Sequence, residues 1–191
     1  MRFLSINTST SLCSVSLFEK EKFKTLEKKS VTDHSKYLAV YTKELLKNNH
    51  NKIDFIAVSV GPGSYAGIRS SLSFVKGLCM AMNKPIVPVE NFECMKEKIK
   101  YDKKFYLCIY SHKDYVYSQL FKNNKKVSHS ICVKFNKLEP LRIYGYGLDS
   151  ICPDYNEIIP DAETVGIFAK KNYQKLLVND LNKVFPIYLE I

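Results

Sequence analysis

A chain of 191 residues that is 46% apolar is long enough to bury a core of its own. Its net charge of +10 admits an RNA partner without diagnosing one, because only Arg2, Arg69 and Arg142 are arginines and the rest is dispersed lysine. No apolar run approaches membrane-spanning length, no signal-peptide layout opens the chain, and the six cysteines form no Cys-x-x-Cys pair, so zinc and membrane classes drop out and free thiols in the cytoplasm are expected.

Three strands are predicted at the start, Arg2 to Thr8, Cys13 to Glu19 and Lys22 to Lys28. The short polar turns between them make the neighbours antiparallel. A helix follows from about Asp33 to Asn48, with Thr32 or Asp33 as its cap and Tyr37, Leu38, Val40, Tyr41, Leu45 and Leu46 at helical spacing. Ile53 to Val60 is an unbroken β-rich run, as in a central strand covered on both faces.

Val60-Gly61-Pro62-Gly63-Ser64-Tyr65-Ala66-Gly67-Ile68-Arg69 then joins that strand to a helix from Ala66 to Met82. Glycines at a strand-to-helix turn either make a tight turn with close packing or offer helix N–H groups to an anion. The spacing Gly-x-Gly-x-x-x-Gly is neither the dinucleotide fingerprint nor a Walker A loop. Ile68, Leu72, Val75, Cys79 and Met82 form a large apolar stripe on the helix, and Gly67, Ser70, Ser71, Phe74, Gly77, Leu78 and Ala81 a second, mostly small one. Two such stripes predict burial on two faces, the second against the first helix or against a partner's helices.

Pro85 to Val89 is expected as a short edge strand and Asn91 to about Tyr101 as a helix. Beyond Asp102-Lys103-Lys104 come strands Phe105 to Tyr110, Tyr115 to Phe121 and Lys125 to Val133, with Asn123-Asn124 as a hairpin turn. Leu141 to Tyr146 is a further strand, Ala162 to Leu177 the last helix, and Val184 to Leu189 a terminal extended segment. Two halves that each open with three strands predict a duplicated α/β fold, with lobes at 1–101 and 102–191.

The polar turn Asn7-Thr8-Ser9-Thr10 ends the first strand. It is either a plain hairpin turn or a phosphate-binding one. Asn7 carries no charge with which to organise Mg²⁺. His34 has no histidine four residues on, His50, His112 and His129 are isolated, and no catalytic set emerges from spacing.

Leu4-Ser5-Ile6-Asn7-Thr8-Ser9-Thr10, Cys13-Ser14-Val15-Ser16-Leu17, His34-Ser35, the glycine segment, Tyr115-Val116-Tyr117 and Pro186-Ile187-Tyr188-Leu189 together resemble the TsaB (YeaZ) family. This is the non-catalytic subunit family of the bacterial tRNA threonylcarbamoyladenosine machinery. The resemblance is dense over residues 1–95 and sparse afterwards. It implies an actin-like, ribonuclease-H-like fold of two small lobes, each a mixed sheet with flanking helices. It implies a heterodimer with the catalytic subunit TsaD, TsaE bound to that pair, and tRNA met through the complex; without a partner, the apolar helix surface is itself expected to pair with a second copy.

On this reading the partner interface is His34, Tyr37, Leu38, Tyr41, Gly67, Ser70, Ser71, Phe74, Gly77, Leu78 and Ala81. Any nucleotide contact, made with the partner present, falls to Asn7, Thr8, Ser9, Thr10, Gly61, Gly63, Ser64 and Arg69, with Arg69 near the Asn7–Thr10 turn. No cofactor and no metal are expected. The chain departs from the family at Asn7, where Asp is common, at Ala66 for Thr, at Tyr110-Ser111-His112 for Asp-Ala-Arg, and at Glu190 for Arg. The rival readings are a small actin-like ATPase or kinase and a metalloprotease.

Overall fold

A computed structural model describes residues 1–29, 33–47, 49, 52–100 and 103–190. Thr32, Asn48, His50 and the expected lobe boundary at 101–102 lie outside the described residues. The first sheet contains β1 (Arg2–Asn7), β2 (Cys13–Glu19), β3 (Lys22–Lys28), β4 (Phe55–Gly61) and β5 (Ile86–Glu90), in the order β3-β2-β1-β4-β5. β1, β2 and β3 pair antiparallel, as their short turns require, with Asn7 opposite Ser14. β4 runs parallel to β1, so the chain must cross over the sheet between them, and α1 (His34–Leu46) is that crossover. Asp33 caps α1 by accepting from the Lys36 N–H.

α1 and α2 (Tyr65–Met82) cover one face of the sheet. Leu38, Leu45, Leu72, Val75 and Cys79 close there on Leu4, Ile6, Val15, Ile56 and Val58. The opposite face carries the other alternate set, Phe3, Phe18, Phe55, Ala57 and Val87. The Phe3 ring stacks 4.8 Å from Phe18 and 4.4 Å from Phe55. α4 (Ala162–Leu176) packs on this face through Val165 and Ala169, and a β-carbon at Gly166 would overlap the Phe18 ring. The last helix, counted with the second half on sequence, is therefore the second cover of the first sheet.

The second sheet contains β6 (Phe105–His112), β7 (Tyr115–Lys122), β8 (Lys125–Lys126), β10 (Arg142–Tyr146) and β11 (Asn156–Glu157) in the order β11-β10-β6-β7-β8, with β9 (Ile131–Lys134) also on β7. β6 and β7 are antiparallel and β10 runs parallel to β6, as β1, β2 and β4 do in the first half. The predicted strand Lys125 to Val133 is two strands. Ser128 interrupts it by turning its hydroxyl to accept from the Leu120 N–H (3.0 Å). The helix expected from Asn91 to Tyr101 is the short α3 (Asn91–Lys96), which sets Phe92 and Met95 against Phe105, Leu107 and Phe121. Val184 to Leu189 joins no ladder, but Ile187 donates its N–H to Val60 (2.8 Å) and so ties the chain end to the top of β4.

Candidate functional site: a locked loop and an exposed helix face

The turn after β1 and the glycine loop after β4 meet because β1 and β4 are parallel neighbours ending at the same edge. Asn7 accepts from the Ser9 N–H (2.8 Å) and hydroxyl (2.7 Å) and donates to the Asn91 Oδ1 (3.2 Å). Asn91 in turn donates to the Ser9 Oγ and the Pro62 carbonyl, both at 2.7 Å, and accepts from the Ser59 hydroxyl at 2.8 Å. Ser64 donates its N–H to the Ser9 carbonyl (2.7 Å), and the Thr8 hydroxyl donates to the Gly67 carbonyl (2.7 Å). A β-carbon at Gly63 would overlap the Ser9 carbonyl oxygen, and one at Gly67 the Thr8 carbonyl oxygen.

These groups satisfy one another in the interior: Asn7, Thr8, Ser9 and Asn91 are all at most 1% exposed. The turn and the loop form a clasp. Asn7, Thr8, Ser9 and Gly63 hold it, Gly61 lies outside it with its N–H on the Ser59 hydroxyl (3.3 Å), and the Ser64 hydroxyl caps α2 by accepting from the Gly67 N–H (3.2 Å). Arg69 does not reach the turn; its guanidinium lies 4.3 Å over the Tyr65 ring. Asn91, the centre of the clasp, is a residue that sequence reading missed. An Asn after a short strand reads as a helix cap, and nothing in its spacing points 84 residues back to Asn7. Asn91→Leu is expected to lower stability by about 3 kcal/mol in urea unfolding, since it strands several buried polar groups at once.

A cleft of about 690 Å³ opens beside the clasp, lined by Ser9 to Ser11, Ser64 to Gly67, His34, Tyr110 to His112, Tyr117 and Tyr146. None of its lining residues is a carboxylate. Burial pushes the His34 imidazole below its ordinary pKa, which favours the neutral ring, and its Nδ1 has no hydrogen-bond partner. Among the described residues no group of three His, Cys, Asp or Glu side chains could hold a metal. The thiols are equally quiet: burial pushes Cys13 up to about 11 and Cys79 and Cys108 up to about 12.

The second stripe of α2 divides in the folded chain. Gly67 and Ser71 are buried, Gly67 against the clasp and Ser71 with its hydroxyl on the Gly67 and Ile68 carbonyls. Leu38 of α1 is 0% exposed in the core. These three therefore are not part of an open surface, because the sheet and the clasp already cover them. Phe74 and Leu78 are half-buried against the core, as are Tyr37 and Tyr41 of α1, whose rings sit 5.7 Å apart. Gly77 and Ala81 are exposed and Ser70 is half-buried, joined at helical spacing by the exposed Ala66 and Ser73, and Val40 of α1 is 52% exposed. A β-carbon added at Gly77 would meet nothing within 4 Å.

A family model described as TsaD, tRNA N6-adenosine threonylcarbamoyltransferase, matches residues 28–146. The chain is 35% identical over 100 residues to the tRNA threonylcarbamoyladenosine biosynthesis protein TsaB of Buchnera aphidicola subsp. Baizongia pistaciae, covering 50% of this chain and 45% of that one. It is 30% identical over 128 residues to the protein of that name in Buchnera aphidicola subsp. Acyrthosiphon pisum, covering 64% and 58%. The chain thus spans about half the length of the curated relatives it matches. Among solved structures, YeaZ from Pseudomonas aeruginosa superposes with a TM-score of 0.83 at 19% identity over 98% of this chain and 99% of that one. An inorganic polyphosphate/ATP-glucomannokinase from Arthrobacter sp. strain KM superposes at 0.51 with 9% identity over 91% and 99%. These likenesses show the fold alone, an actin-like, ribonuclease-H-like α/β fold.

Proposed function

The chain belongs to the tRNA N6-adenosine threonylcarbamoyltransferase family, and from its likeness to relatives named TsaB we propose that it serves as a non-catalytic subunit of the TsaB kind. In this reading it binds TsaD and supports threonylcarbamoyl transfer to the adenosine next to the tRNA anticodon. It works in the cytoplasm, meets tRNA through the complex, and offers TsaE a site on the TsaD-bound pair.

The carrying observation is Gly77. It lies in the interior of an 18-residue helix, exposed, with open space where a side chain would stand. Glycine costs about 1 kcal/mol there relative to alanine, and no contact within the chain repays it. A helix of a partner laid along Ala66, Ser70, Ser73, Gly77 and Ala81 does, because small residues let two helix backbones approach closely. Tyr37, Tyr41 and Phe74 supply the apolar shoulder of that groove. The test is to mix the purified chain with TsaD of the same cell and measure mass in solution. A one-to-one complex is expected, and Lys36→Glu at the rim of α1 should weaken it only mildly. Two species that never associate would sink the proposal. Alone, the chain is expected to pair with itself through the same face.

The alternative, an ATPase or kinase, would work through the cleft. The clasp speaks against it, since the Asn7, Thr8 and Ser9 side chains are spent on one another and on Asn91 and Gly67. Incubation of the chain with ATP and Mg²⁺ is expected to yield no turnover. Phosphate release that disappears on Thr8→Ala would establish the kinase reading instead. Bound transition metal in the purified chain would do the same for a protease.

A further inference from the structure

Beside the small-residue stripe, α2 carries a different face. Tyr65, Arg69, Lys76 and Met80 share it by helical spacing. The chain end runs along it, held by the Ile187 N–H on the Val60 carbonyl (2.8 Å). This places the Tyr188 ring 5.0 Å from Tyr65 at a 32° tilt, with the Arg69 guanidinium 4.3 Å over the same Tyr65 ring. The Lys76 ammonium lies 5.5 Å from the Phe185 centroid. Four large apolar side chains are thereby left in water, Tyr65 at 55%, Met80 at 75%, Phe185 at 68% and Tyr188 at 48% exposed. Among the described residues neither Arg69 nor Lys76 has a carboxylate within 4 Å.

Flat rings open to solvent and cations without an anion call for one occupant that brings planar π-faces and negative charge together. An acidic peptide would answer the cations and leave the rings without a flat partner. Unpaired nucleotides answer both, since bases stack on aromatic side chains while the backbone lies along the positive groove. The chain's net charge of +10 draws such a strand in at long range. We propose that this face binds unpaired RNA, with bases on Tyr188 and Phe185 and phosphates beside Arg69 and Lys76. It borders the small-residue stripe, so each variant below is read against TsaD binding as well as against RNA. Glu190 follows directly on this segment and should oppose binding.

The test is fluorescence anisotropy of a labelled RNA stem-loop with an unpaired loop, titrated with the full chain. Tyr188→Ala and Phe185→Ala are each expected to weaken binding about tenfold, the effect of losing one stacked base. Tyr188→Phe keeps the ring and should bind as the parent does. Lys76→Gln should lower the salt slope by about one phosphate, Glu190→Gln should tighten binding, and Lys22→Gln on β3, at the other edge of the first sheet, should change nothing. RNA affinity untouched by the two alanine variants, or reduced equally by Lys22→Gln, would overturn the proposal in favour of diffuse charge. Alanine variants that lose TsaD while holding RNA as before would show a protein interface instead and overturn it as well.

Discussion

Gly77→Glu is expected to abolish association with TsaD while leaving the isolated chain folded. The two halves of this expectation rest on separate observations. A side chain at residue 77 meets nothing within 4 Å in the chain itself. Glutamate is a far better helix former than glycine, so the free chain should be unharmed or more stable by up to about 1 kcal/mol. In the proposed complex the same position would face the closest approach of two helices. A carboxylate there is desolvated and unpaired, which costs about 3 kcal/mol or more, so the Kd should rise by roughly a hundredfold or beyond. Gly77→Ala separates the effects: it should raise the melting temperature of the free chain and still weaken the pair. Thermal unfolding checks the first half and calorimetric titration with TsaD the second. Normal binding by a folded Gly77→Glu chain would show that this face is not the interface.

Gly67→Val should act in the opposite place and by the opposite route. Its β-carbon would overlap the Thr8 carbonyl, a backbone atom fixed at the end of β1. The turn cannot step aside, because the Thr8 hydroxyl holds the Gly67 carbonyl and the Ser9 carbonyl holds the Ser64 N–H. Overpacking against such a clasp costs about 3 kcal/mol, a fall of roughly 6–12 °C in Tm for a domain of this size. Gly63→Val meets the Ser9 carbonyl in the same way and should lose about 1–3 kcal/mol. The two helix glycines thus predict opposite results: Gly67→Val should harm the fold, and Gly77→Glu the proposed pairing with TsaD. A Gly67→Val chain that melts with the parent would show that the turn and the helix start are not locked together.

The strands β1 to β4 and the helices α1 and α2 were legible in sequence because each carries its own period and its own punctuation. The Thr8–Ser11 turn and the Lys20-Glu21 turn bound the first strands, and Asp33 starts the first helix. Periodicity does not say which surface an amphipathic element meets. That is why α4 could not be assigned to the first sheet in advance, although Gly166 is shaped to the Phe18 ring. The same blindness put Leu38, Gly67 and Ser71 on the expected interface. Spacing groups them with Gly77 and Ala81, but only the position of the sheet and of the Thr8 turn decides which members of a stripe remain open. The clasp was half legible. Its glycines and hydroxyls stand out as two polar loops, while Asn91, which joins them, is a single residue far along the chain. β8 and β9 were read as one strand because the interruption depends on an exposed Ser128 hydroxyl accepting from the Leu120 N–H across the hairpin, a contact that alternation does not show.

In the proposed complex the chain contributes a surface and no chemistry of its own. Reconstituted transfer of threonylcarbamoyl to tRNA tests this most directly, with TsaD, TsaE and a supplied threonylcarbamoyl donor, in the presence of the chain, in its absence, and with Gly77→Glu in its place. Transfer is expected with the chain, loss of transfer without it, and the same loss with Gly77→Glu, while a folded Thr8→Ala chain should retain transfer. Transfer that proceeds equally well without the chain would contradict that expectation.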